Sequence, residues 1–216
     1  MPDFPSRKQL RLRNYDYTSA GFYFVTICIQ NRKHLFGKII NSNVGADPCV
    51  RPNVDCNTAD PRVRPNIRME TQISLNNAGL MAESIWKQIP GHYPGVKIDK
   101  FVIMPNHIHG IIILNPDSQN NGQAQGPAPT MTLSNVIQRF KSITTTLYRN
   151  GVHKQNWVPF DGKFWQRNFY ERIIRNDNEL NKIRQYIRDN PINWENDTEN
   201  ITPRLNTPKI SMIFSG

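Results

Sequence analysis

Met104-Pro105-Asn106-His107-Ile108-His109-Gly110, running on into Ile111-Ile112-Ile113-Leu114, is the stretch on which the reading of this chain turns. Its apolar, β-branched half reads as a buried strand, and Pro105-Asn106 ahead of it reads as a turn. Residues two apart on a strand point the same way, so His107 and His109 share one face of whatever sheet this strand joins. Two neutral imidazoles side by side on a rigid strand can grip one divalent cation, leaving positions for a third ligand and a substrate oxygen. Taken alone, such a pair is more often two polar residues on a solvated face. A closed structural zinc site is not in view, because Cys28, Cys49 and Cys56 make no CxxC pair.

Working outward, Phe22-Tyr23-Phe24-Val25-Thr26-Ile27-Cys28-Ile29 is dense in aromatic and β-branched residues and predicts a first, buried strand. A helix is expected from Asn77 to about Ile89, stopped by Pro90-Gly91, and a strand from Val96 to Met104. A second helix spans roughly 132–149 through Leu133, Val136, Ile137, Phe140, Ile143 and Leu147. Residues 115–130, rich in Asn, Gln, Gly and Pro, are read as a loop. Between 44 and 70, Ala46-Asp47-Pro48-Cys49-Val50-Arg51-Pro52-Asn53 recurs as Ala59-Asp60-Pro61-Arg62-Val63-Arg64-Pro65-Asn66. Two copies are too few for a solenoid, and their prolines argue for an extended, duplicated insertion between strands.

With 216 residues and 38% hydrophobic content, the chain can bury one real core, and one domain is expected. No apolar stretch approaches the ~20 residues that span a bilayer, and the basic, polar N-terminal region shows no signal peptide, so no membrane partner and a cytoplasmic location are expected. Three irregularly spaced cysteines agree with a reducing compartment. The net charge of +10 is located: residues 1–40 hold 7 Lys+Arg against 2 Asp+Glu, and residues 131–190 hold 11 against 5. A surplus concentrated in two blocks favours a polyanion, and nucleic acid is the natural one.

The third helix should begin at Asn176, with Glu179 in a capping-box-like pair, and end before Pro191. Tyr186 and Asn190 lie four apart on it, one turn from each other on a common face. Alone, they read as a half-buried tyrosine and a C-terminal cap. Beside the histidine pair they assemble differently. Three neutral ligands, His107, His109 and Asn190, leave a divalent metal its full charge to polarise a phosphate, and Tyr186 supplies an oxygen nucleophile.

Pro105-Asn106-His107-Ile108-His109-Gly110, then Phe164-Trp165-Gln166-Arg167-Asn168-Phe169-Tyr170-Glu171-Arg172-Ile173-Ile174-Arg175-Asn176, then Tyr186-Ile187-Arg188-Asp189-Asn190-Pro191 together resemble the IS200-like Y1 transposases of the HUH superfamily. Within them the chain is most similar to the REP-associated tyrosine transposases, and Gly21-Phe22-Tyr23-Phe24-Val25-Thr26 also fits, so the resemblance covers about residues 7–194. It implies an α+β, ferredoxin-like domain of the HUH nuclease type, with helices packed on an antiparallel sheet and the histidines on a central strand. That domain would take residues 1–195 with the Pro-rich insertion at about 44–70, leaving 196–216 as a C-terminal tail that matches nothing in the family.

The resemblance further implies transesterification of single-stranded DNA beside a palindromic hairpin. Tyr186 would attack, Mg2+ or Mn2+ would sit on His107, His109 and Asn190, and the products would be a 5′-phosphotyrosine and a free 3′-hydroxyl. No ATP is required, since the phosphotyrosine conserves the bond energy. Arg139, Lys141, Arg167 and Arg172 are candidates for backbone contacts. Trp165 is read either as a base-stacking platform or as a core residue. The expected partner is single-stranded or hairpin DNA, with the protein a monomer or a homodimer. Two alternatives stay open, a domesticated hairpin-binding regulator and a metal-dependent phosphodiesterase that uses water. Tyr170, in an aromatic run with strand character, is expected to be structural.

Overall fold

The computed structural model describes residues 20–45, 67–115 and 132–200, with side chains throughout except at 42–45 and 67–70. Gly21–Cys28 (β1), Val96–Ile103 (β4), His107–Leu114 (β5) and Tyr170–Ile174 (β6) form one four-stranded sheet. Gly37–Gly45 (β2) and Ile67–Leu75 (β3) pair separately as a two-stranded ribbon. The sheet order is β4-β5-β1-β6, and every neighbouring pair is antiparallel. The helices are α1 (Asn77–His92), α2 (Leu133–Gln155) and α3 (Asp177–Asp189). With the ribbon set aside, the chain runs β1-α1-β4-β5-α2-β6, the split βαβ order of a ferredoxin-like α+β fold, followed by α3.

Strand alternation gives the sheet two different faces. On one, Tyr23, Val25 and Ile27 of β1 and Ile108 and Ile112 of β5 pack with Trp86 and Ile89 of α1 and Val136, Ile137 and Phe140 of α2. One residue out of phase, Phe24 and Ile111 face the other way and pack on Leu180, Ile183 and Ile187 of α3. The spacing 180, 183, 187 is the stripe that lays a helix along a sheet. Gly110 lies between the two histidines' strand and Trp86, and a Cβ there would fall 2.4 Å from the indole Cζ2. The glycine next to the histidine pair therefore lets the largest buried side chain approach the sheet backbone.

Several local expectations are revised. The first helix does not stop at Pro90 but runs to His92, because a proline in the last turn removes one hydrogen bond where the ladder is already ending. The second helix runs six residues past 149, to Gln155, and closes on Asn156 in the left-handed conformation. Its buried stripe passes through Thr144 and Tyr148 rather than Ile143 and Leu147. Thr144 tolerates full burial because its hydroxyl donates to Phe140 O (2.7 Å) and accepts from Trp165 Nε1 (3.0 Å). The expected loop at 44–70 is shorter at both ends: Val44 and Gly45 pair with Arg68 and Ile67 in the ribbon. The repeats themselves, and nearly all of the expected loop at 115–130, lie outside the described residues.

Candidate active site

The histidines sit where β5 begins, on the face that α3 covers. Both are buried, and their ring centroids are 4.4 Å apart. The β1 register brings Thr26 opposite His109 and Cys28 opposite His107. Thr26 Oγ1 lies 2.8 Å from His109 Nδ1, and Asn106 Oδ1 lies 2.8 Å from His107 Nδ1. Asn106 is itself fully buried, and its Nδ2 donates to Arg32 O (3.2 Å) and Glu199 O (2.9 Å). Those two carbonyls fix which way the amide points. Its oxygen faces His107, so the proton of His107 is on Nδ1 and the lone pair is on Nε2. Such a partner on the far nitrogen is what orients a metal-binding imidazole.

Burial keeps both rings neutral. It pushes the His107 imidazole well below its ordinary range, helped by His109, and that of His109 down to about 3. A neutral imidazole is the form that ligates a cation.

α3 then supplies two groups from one face. Tyr186 Oη stands 3.2 Å from His109 Nε2, and its ring is edge-on to both His109 and Phe24. Burial first, and then the Asp197 and Glu199 carboxylates, raise the phenol's pKa, while a hydrogen bond from Asn190 works against them. Asn190 is buried one turn on and bonds to both Tyr186 and Asp197. Its Oδ1 and His107 Nε2 are buried atoms that find no hydrogen-bond partner among the described residues. Two such atoms left over in a dry pocket, beside the imidazole of His109, are a donor set suited to a cation. The sequence-predicted trio and the tyrosine therefore converge on one volume.

The sequence reading missed one more member. Asp197, three residues past Trp194, is buried with its Oδ2 3.6 Å from His107 Nε2. Ligand atoms of His107, His109 and Asp197 all lie within 4.8 Å of one another, so these three can hold a metal ion. Trp194 covers the pair from outside, stacked on His107 at 6.0 Å and edge-on to His34 at 5.4 Å. A boundary drawn at residue 195 would cut through this site. The one available sequence signal was an acidic pair, Asp197 and Glu199, just after a Trp in an otherwise unpatterned segment.

The remaining predicted residues disperse. Trp165 is a core residue, 5% exposed, with its indole N–H spent on Thr144, and it presents no face to a base. Lys141 is spoken for as well. Its ammonium donates to the carbonyls of Gln166 (2.9 Å), Arg167 (3.4 Å) and Asn168 (3.1 Å), tying the loop before β6 to α2. Burial draws that ammonium down to about 8. Arg172 is bound to Glu179 through Nε and Nη2, each at 2.7 Å, and Glu179 Oε2 also accepts from Arg175 N, two residues ahead of α3. Arg139 and Arg167 are exposed, and Arg139 lies over the Tyr93 ring. Tyr170 opens β6 opposite Thr26, partly exposed and edge-on to Phe24.

No helix among the described residues is long and apolar enough to cross a membrane. Comparison with known proteins adds the following. The family model described as "Transposase IS200 like" matches residues 126–190, which hold α2, β6 and α3 with Tyr186 and Asn190 but not the histidine pair. An uncharacterised protein of Haemophilus influenzae (strain Rd) is 36% identical over 202 residues, 88% of this chain and 91% of that protein. Among solved structures, a REP-associated tyrosine transposase bound to a REP hairpin is similar at 18% identity and a TM-score of 0.49, over 85% of this chain and 73% of that one. The tyrosine helix thus lies inside a segment that matches the IS200-like transposase family model, and the fold lays the histidine strand against that segment.

Proposed function

We propose that this protein is a metal-dependent transesterase of single-stranded DNA, cutting and rejoining strands beside palindromic hairpins as REP-associated transposases do. The observation that carries the reading is the meeting of Tyr186 Oη with the His107–His109 pair and Asn190 in one buried volume. His107, His109 and Asn190 would hold Mg2+ or Mn2+. Such an ion would supply Lewis-acid polarisation of a phosphate oxygen and would offset the burial and the neighbouring carboxylates that raise the phenol's pKa.

The chain's own residues do the rest. Ile187 and Ile183 seat α3 on the sheet, so that one rigid helix sets both the nucleophile and the amide ligand. Tyr186 Oη attacks the scissile phosphorus as its proton leaves. The bond from phosphorus to the 3′ oxygen breaks, that oxygen takes up a proton, and a 5′-phosphotyrosine remains. A second 3′-hydroxyl attacking the phosphotyrosine reverses the exchange, with no net loss of phosphodiester bonds and no need of ATP. Exposed Arg139 and Arg167 are the sequence-selected cations still available to the DNA backbone.

The test is a hairpin oligonucleotide with a labelled flank, incubated with Mn2+ and run on a denaturing gel. A covalent adduct whose DNA phosphate maps to Tyr186 by mass spectrometry supports the reading. Cleavage without an adduct would instead make the protein a water-using phosphodiesterase, and hairpin binding without cleavage would make it a regulator.

A further inference from the structure

The reading above uses His107, His109 and Asn190 and leaves Asp197 without a task. We propose that Asp197 is a fourth ligand of the cation, carried into the site by the strap of residues 194–200 and held there by Arg32. The inference rests on the histidine pair being a cation site and says how this chain completes it.

The argument begins with a lone pair. Because the Asn106 amide is oriented by the carbonyls of Arg32 and Glu199, His107 carries its proton on Nδ1, and its Nε2 presents an electron pair inward. Asp197 Oδ2 faces that nitrogen at 3.6 Å, too far for a hydrogen bond. Two acceptor atoms opposed across a buried gap repel one another unless a proton or a metal cation lies between them, and a divalent cation can also take in the neighbouring acceptors. Asn190 Oδ1 adds a further acceptor atom, one that meets no donor among the described residues. Hydrogen bonds from Asn190 and from Glu199 N support this buried carboxylate, and metal coordination would stabilise its charge further.

The carboxylate's position is built from several directions. Asp197 Oδ1 accepts from Glu199 N (2.7 Å), and Asp197 N donates to Trp194 O (3.1 Å), so the turn holds the carboxylate toward the histidines. Glu199 then anchors the strap. Its carboxylate pairs with Arg32 and accepts from Cys28 Sγ (3.0 Å), and its carbonyl accepts from Asn106 Nδ2 (2.9 Å). Arg32 Nη1 also donates to Thr198 O (3.1 Å). Asn31 and Arg32 hold φ of +56° and +50°, a left-handed conformation that asparagine adopts readily but that costs energy at an arginine. One arginine in an unusual backbone geometry thus grips two consecutive strap residues. The chemical consequence is charge: a carboxylate makes the ligand set anionic, which raises affinity for a divalent cation and lowers the charge left to polarise a phosphate.

The experiment is Mn2+ binding to the full-length, DNA-free chain, followed by the loss of the free-ion EPR signal. Asp197→Asn, which keeps the shape and removes the charge, should weaken Mn2+ binding by about tenfold or more, and Arg32→Gln, acting through the strap, by up to about tenfold. His107→Ala should abolish site binding. Wild-type affinity in Asp197→Asn alongside loss in His107→Ala would overturn the role of Asp197 while leaving the histidine site standing. Wild-type affinity in His107→Ala would overturn both. If Asp197→Asn did not fold by circular dichroism, Arg32→Gln decides alone, and unchanged affinity there overturns the proposal.

Discussion

The two faces of the sheet are made by the same strands, one residue out of phase, and they could hardly differ more. Toward α1 and α2 the face is broad, aromatic and closed: Tyr23, Trp86, Phe140, Tyr148, Phe164 and Trp165 fill it. Toward α3 the apolar seal is narrow, with Phe24, Ile111, Ile174, Leu180, Ile183 and Ile187, and beside it Thr26, His107, His109 and Asn190 are buried together. The first face carries most of the buried apolar area and hence most of the stability. The second spends stability on dry polar groups that satisfy each other only in part. Alternation lets one strand serve both. Ile108, fully buried between the two histidines in sequence, pins β5 on the closed side and so fixes the imidazoles on the open one.

If the faces divide labour in this way, substitutions on each should move different observables. The largest effect is expected for Tyr186→Phe, which removes only the attacking oxygen: strand cleavage and adduct should fall by about 10⁴-fold or more, with melting changed by no more than ~1 kcal/mol. Tyr170→Phe should keep the adduct. An adduct surviving in Tyr186→Phe would break the comparison at its centre. On the closed face, Trp86→Ala should lose about 3–5 kcal/mol of stability by denaturant titration, while any folded fraction still binds Mn2+ with near-native affinity. A selective loss of metal binding there would mean that the two faces are coupled more tightly than their packing implies.

A smaller effect is expected from Thr26→Val, which keeps shape but removes the oxygen beside His109 Nδ1. Mn2+ affinity should drop about 10- to 100-fold through loss of ring orientation, read by the same EPR titration. The mildest test is pH. Burial lowers the His109 imidazole from the usual 6.5 to about 3, so between those values the unfolded chain binds a proton that the folded chain does not. The His109 contribution to stability is therefore complete above about pH 6.5 and declines as pH falls toward 3. Thermal melts from pH 8 to 4 should show this decline, and His109→Gln should flatten it. An unchanged slope in the variant would show that the ring is not held neutral by burial.

How legible the molecule was depends on the kind of signal. The strands of the main sheet and the helices followed from aromatic and β-branched runs, apolar spacing and caps, which are local signals that burial imposes on neighbouring residues, whereas the β2–β3 ribbon went unread. Helix ends were less legible. Pro90 looks like a stop yet sits in a last turn, and the second helix runs on past 149 through Gly151, where Trp157 crosses it with its Cε3 only 2.3 Å from where a Cβ would stand. The cationic and aromatic residues chosen for DNA fared worst. Nothing local tells that Lys141 is tied to three carbonyls, Arg172 to Glu179, or Trp165 to Thr144.

The sequence by itself determined that His107 and His109 share a strand face and that Tyr186 and Asn190 share a helix face, since each pair is set by the geometry of one element. It also contained the motif order that marks the family. Only the tertiary structure decided that those two faces meet, that Asn106 sets the His107 tautomer and Thr26 stands against His109 Nδ1, and that Asp197 and Glu199 close back on Arg32 and Cys28. Glu199 and Cys28 are 171 residues apart along the chain. No periodicity reaches that far. A long-range contact of this kind is chosen by how a packed sheet and helix leave room for a passing strap, a property of the folded whole.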